Sequence, residues 1–141
     1  MYLLIKNKYW ITILCLFLFA CGETSVNSLR QVSNTPHTFI ANKNYQQIYK
    51  VLSTKARECL SVTLGLSSAQ YVVDTDLYNE LGEASITLRL EQAGYTGYFA
   101  LIEIRKLSHL KTEVKIFTAN SSWDYLRNIT ENWAKGYKSC K

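Results

Sequence analysis

The sequence predicts an α+β domain: an N-terminal helix, an antiparallel four-stranded meander and a C-terminal helix, with both helices packed on one face of the sheet. Three observations carry that expectation. Apolar residues recur at steps of three and four over residues 44–60 and again over 122–135, and they recur at steps of two between 70 and 117. The first pattern belongs to amphipathic helices and the second to half-buried strands.

The first helix starts at Asn44, a good N-cap with Gln47 three residues on. Tyr45, Ile48, Leu52, Ala56 and Cys59 form its apolar stripe, while Gln46, Lys50, Lys55 and Arg57 fall outside it. A first strand over about 70–77 sets Tyr71, Val73 and Leu77 against Val72, Asp74 and Asp76. The second sets Ala84, Ile86, Leu88 and Leu90 against Ser85, Thr87, Arg89 and Glu91. In the third, Tyr98, Ala100, Ile102 and Ile104 alternate with Phe99, Leu101, Glu103 and Arg105, and in the last Val114 and Ile116 alternate with Glu113 and Lys115. Short turns at 79–82, 93–94 and 108–109 force antiparallel pairing. The closing helix takes its cap from Asn120, Ser121 and Ser122, presents Trp123, Leu126, Thr130, Trp133 and Tyr137 on one face, and ends at Gly136.

Upstream of these elements the first twenty residues have the order of a secretory signal: Lys6 and Lys8, an apolar run from Tyr9 to Phe19, then the small residue Ala20. The run is short of the roughly 20 apolar residues that a membrane-spanning helix needs. Leu18-Phe19-Ala20-Cys21 resembles the lipobox of bacterial lipoproteins. That resemblance implies cleavage before Cys21, acylation of its thiol, and a location in the bacterial cell envelope. Gly22 rather than aspartate after the cysteine implies the outer membrane, facing the periplasm. An ordinary secretory signal with an incidental cysteine is the alternative.

With 20 of the 141 residues removed, 121 remain, and loss of Lys6 and Lys8 leaves 14 basic against 11 acidic side chains. So small a positive excess gives no nucleic-acid footprint. Residues 21–41 are polar, aperiodic and carry the only proline, Pro36, and are expected to form a flexible tether to a single domain over 42–141. Once Cys15 is discarded and Cys21 acylated, Cys59 and Cys140 are the remaining pair, which in an oxidising compartment reads as a disulfide. Arg57-Glu58-Cys59 and Trp133-Ala134-Lys135-Gly136-Tyr137-Lys138-Ser139-Cys140 resemble a group of small proteobacterial lipoproteins with a terminal Trp-x-x-Gly-x-x-x-Cys. This second resemblance implies the same disulfide and no activity.

Chemistry has few places to reside. His37 sits in the expected tether and His109 in a turn, so a hydrolytic triad would have to rest on His109. Asp74 and Asp76 share a strand face but lack the glycine-rich loop and third acid of a cation site, and read as solvated. No cofactor or metal set is expected. Arg105, Lys106, Lys111 and Lys115, joined by His109, make a basic cluster suited to an anionic surface, or simply an exposed hairpin. Phe99, Leu101 and Phe117 fall opposite the main apolar stripes, where they form a patch for an envelope protein partner unless a loop or the tether folds over them. The leading expectation is a non-enzymatic, lipid-anchored module that binds a partner or supports an assembly. A carrier or sensor of a small apolar or lipid ligand is the alternative.

Overall fold

The computed structural model describes residues 24–33, 35–65 and 68–140. Its elements are α1 (Val26–Val32), β1 (His37–Ala41), α2 (Tyr45–Leu60), β2 (Val62–Thr63), β3 (Gln70–Tyr78), β4 (Glu83–Gln92), β5 (Tyr95–Ser108), β6 (Lys111–Thr118), a 3-10 turn (Ser121–Trp123) and α3 (Tyr125–Lys135). The strands form one antiparallel sheet in the order β1-β6-β5-β4-β3-β2. A four-stranded meander with two helices is therefore not what the chain forms: the sheet has two further strands, one at each edge, and a third helix is present.

The two edge strands explain the length of α2. They are its neighbours in sequence but lie at opposite edges of the sheet, so the segment between them must cross five strand spacings of about 4.8 Å each. The sixteen residues of α2, rising about 1.5 Å each, reach about 24 Å, which matches that width. Asn44 starts the helix by accepting a hydrogen bond from Gln46 N at 2.8 Å, and Ile48, Leu52 and Ala56 then face the sheet.

The main core lies between that face and the two long helices. Ile48 and Leu52 from α2, Leu126 and Trp133 from α3, and Ile104, Val114 and Ile116 from the sheet are all essentially inaccessible to water. At the end of α3, Gly136 adopts a left-handed conformation (φ 103°), and Tyr137 N reaches back to Asn132 O at 3.0 Å. Cys59, in the last turn of α2, and Cys140, just past α3, form a disulfide with Cα atoms 5.3 Å apart.

Residues 26–32 and 37–41 fall in the segment 21–41 that was expected to form a flexible tether. Residues 26–32 fold as α1 and residues 37–41 as β1, and both pack on the sheet. Ser25 and Ser28 cap α1 reciprocally, and its one buried residue, Leu29, packs on Leu101 and Phe117 across the sheet from α2 and α3. Arg30 fixes the docking with an ion pair to Glu103 at 2.7 Å. β1 then pairs along β6, from His37 opposite Ile116 to Ala41 opposite Thr112. Truncation of Leu29 to alanine removes the only buried anchor of α1 and should cost about 2 kcal/mol. Limited proteolysis should then cut between residues 24 and 36 before the sheet unfolds, whereas simultaneous loss of the whole domain would place α1 in the cooperative core.

Candidate functional site

The residue that most changes place between sequence and structure is Phe99. On β5 a bulge interrupts the pairing with β4: Leu88 lies opposite Ala100 and Arg89 opposite Tyr98, which leaves Phe99 as the extra residue. A bulge puts two residues against one and breaks strict alternation. Phe99 consequently packs against the same core as α2 and α3, while Tyr98, expected in the helix-facing stripe, packs with Leu29, Leu101 and Phe117 on the other side. The expected patch of Phe99, Leu101 and Phe117 thus divides. Its two deeper members are buried beneath α1, leaving no apolar face there for a partner.

Phe99 instead joins an aromatic cluster drawn from four elements. Its ring centroid lies 5.7 Å from Tyr71 of β3 and 5.3 Å from Trp123 of the 3-10 turn. Tyr71 and Trp123 meet edge to face at 5.5 Å, and Tyr125 stacks on Trp123 at 6.1 Å with an interplanar angle of 30°. These are favourable offset and edge geometries for aromatic pairs. Local structure sets them. Asn120 accepts a hydrogen bond from Ser122 N at 3.0 Å to form the 3-10 turn that carries Trp123, and Thr118 donates to Asp124 at 2.8 Å, pinning the entry to α3 and with it Tyr125. Val62 lies opposite Tyr71 in the ladder, so the two share a face, with half of the Val62 surface in water.

The cluster is open at its rim. Tyr71, Phe99 and Trp123 are half-buried, and Tyr125 is 49% exposed. Partial burial, with Tyr71 nearby, pushes the Tyr125 phenol above its ordinary range, so it stays neutral and able to donate a hydrogen bond. Sequence reading singled out Tyr71, Phe99 and Trp123, each for a different reason, and missed Tyr125 and Val62.

Other sequence-based candidates fall elsewhere. Arg89 binds both Asp74 and Glu91, and these two carboxylates hold its guanidinium strongly protonated. Hydrogen bonds from Arg89 and then Gln70 hold the Glu91 carboxyl below the usual range. Asp76 accepts from the Ser85 hydroxyl at 3.5 Å, so Asp74 and Asp76 serve different partners. His37 contacts Glu131 at 3.3 Å, and His109 sits in the exposed β5–β6 turn. The basic cluster separates too: Arg105 and Lys115 share Glu113 at 2.8 and 3.5 Å, while Lys106 and Lys111 lie out at the end of the hairpin. Among the described residues no group of three His, Cys, Asp or Glu side chains has metal-holding geometry, and no helix is long and apolar enough to cross a membrane. The cysteine expected to carry lipid, Cys21, lies outside the described residues.

A cleft of about 470 Å³ runs beside α1 on the opposite face, but its charges are largely neutralised within its own walls by the Arg30–Glu103 and Arg105–Glu113 pairs. A smaller one of about 310 Å³ separates β1 from the end of α3. Taken together, fold and site define an α+β domain with an open aromatic surface cluster. The chain matches no protein-family model, and no curated protein is recognisably related to it.

Proposed function

We propose that this protein is a non-enzymatic module of the bacterial cell envelope, anchored by acyl chains on Cys21 at the outer membrane, that binds a protein partner through Tyr71, Phe99, Trp123 and Tyr125. The observation that carries the reading is the half-exposed cluster of four rings. Tyrosine and tryptophan dominate the energetics of protein interfaces, where they supply large contact area for few rotatable bonds. Rings that served only the core would be covered, and Tyr125 keeps about half of its surface in water. Asp74 and Glu91 are occupied with Arg89, and Glu103 and Glu113 with Arg30 and Arg105.

A photo-crosslinking amino acid in place of Tyr125 tests the reading in intact cells, with the same group in place of Gln31 on α1 as the reference. A discrete protein adduct from position 125 alone, lost when Trp123→Ser is added, is the expected result. No adduct at 125, or the same adducts from both positions, contradicts it.

The second reading is carriage of a small apolar ligand. It is favoured by the cleft between β1 and α3, where Phe39, Ile40, Ala41 and Ala134 supply apolar walls. Against it, the space between the two long helices and the sheet centre is filled by Ile48, Leu52, Leu126 and Trp133. A small molecule retained in native mass spectrometry after gentle extraction would favour carriage over partner binding.

A further inference from the structure

Two hairpin turns stand side by side at one end of the sheet. Lys106 N donates to Gly82 O at 2.8 Å, and a Cβ built on Gly82 would lie 3.1 Å from that of Lys106, so the β3–β4 turn is tied to the end of β5. Leu81 lies in the first turn, Leu110 in the second, and Leu107 near the end of β5. Their exposures are 70%, 48% and 61%. Hairpin turns favour Gly, Asn, Asp and Ser for their backbone chemistry, and three leucines contribute nothing to these turns that would offset leaving their side chains in water.

Charge at this end is arranged around them. Lys106 and Lys111 bracket the β5–β6 turn with His109 between them, and among the described residues neither lysine is in an ion pair, unlike neighbouring Arg105 and Lys115. Across both turns, residues 79–82 and 106–111, the only carboxylate is Glu80. A few side chains on convex loop ends cannot supply the roughly 800 Å² per partner of a stable protein interface. A bilayer requires no complementary shape: leucines enter at the boundary of headgroups and acyl chains, the turn backbone remains hydrated, and ammonium groups stay with the phosphates.

We propose that this end of the domain, with Leu81, Leu107 and Leu110 as its apolar points and Lys106 and Lys111 as its cationic collar, docks on a membrane surface bearing anionic headgroups. The contact needs neither the acyl anchor nor the aromatic cluster, which faces away along the strands at the far end of β3 and the bulged part of β5. The contact orients the domain rather than merely holding it nearby.

The test uses the full chain with a fluorescent amino acid in place of Leu110, and in a second form in place of Ala93, in the turn at the other end of β5. Vesicles of phosphatidylethanolamine and phosphatidylglycerol carry bromine high on their acyl chains as a quencher. Quenching at 110 that exceeds quenching at 93 several-fold, and that falls to the level of 93 with Lys106→Glu and Lys111→Glu together, is expected. Equal quenching at the two positions, no quenching at 110, or indifference to the lysine reversals overturns the proposal.

Discussion

Replacing Cys59 and Cys140 by serine should lower the unfolding free energy by about 2–4 kcal/mol and move the thermal midpoint down by roughly ten degrees or more. The bridge closes 81 positions of chain, for which loop-closure entropy alone gives about 4.5 kcal/mol, before any residual order in the unfolded chain reduces it. It also joins the last turn of α2 to the segment beyond α3, the two helices that cover one face of the sheet. A domain of roughly 115 residues buries too little apolar surface to be insensitive to such a loss. Denaturant titration of the oxidised protein, the reduced protein and the double-serine variant checks this. Agreement between the last two, both well below the first, is expected, whereas a difference under about 0.5 kcal/mol would mean that the unfolded chain is already held compact.

Trp133→Ala should be about as damaging, at roughly 3–5 kcal/mol. Trp133 is the largest side chain with no exposure to water, set among the helices and the sheet. Its indole Nε1 also donates to Ser139 O at 2.8 Å, one residue before Cys140. Truncation therefore opens a cavity and at the same time unfastens the segment that delivers Cys140 to Cys59. Trp133→Phe retains most of the volume and loses the hydrogen bond, so it should cost about 1–2 kcal/mol. A cycle combining Trp133→Phe with the double-serine change should show a coupling of about 0.5 kcal/mol or more. Strict additivity would mean that the indole and the disulfide act on the segment independently.

The parts of the fold that were legible are those whose burial is long and one-sided. The stripe Ile48, Leu52, Ala56 and the alternations of β4 and β6 repeat often enough to fix element type and facing. α1 did not register because seven residues bury only Leu29, which gives no period at all. β1 is five residues long with Phe39 and Ile40 adjacent on opposite faces, so its alternation carries no polar contrast. β2 has two residues and exists only through its pairing with β3. In each case tertiary contacts, rather than local pattern, create the element.

The candidate site was legible in its chemistry and not in its place. Tyr71, Phe99 and Trp123 were each singled out, but strict period-two alternation put Phe99 beside Leu101 and Phe117. The bulge at Phe99 adds one residue, reverses the facing of Tyr98 and Phe99, and has no glycine at that position to mark it. Tyr125 and Trp123 adjoin Tyr71 only because β3 and the entry to α3 come together in space. Covering of Leu101 and Phe117 by the N-terminal segment was one of the alternatives the sequence allowed, and it is the one that the fold adopts.

The lipid anchor and the disulfide clasp meet in one measurement, the non-reducing intact mass of the protein recovered from the cell envelope after treatment with a thiol-alkylating reagent. A chain beginning at Cys21, heavier by its acyl groups and with no alkylation at Cys59 or Cys140, is the result expected of an anchored, clasped module. A chain that retains its first twenty residues without acylation, or one that takes up two alkyl groups at Cys59 and Cys140, would contradict it.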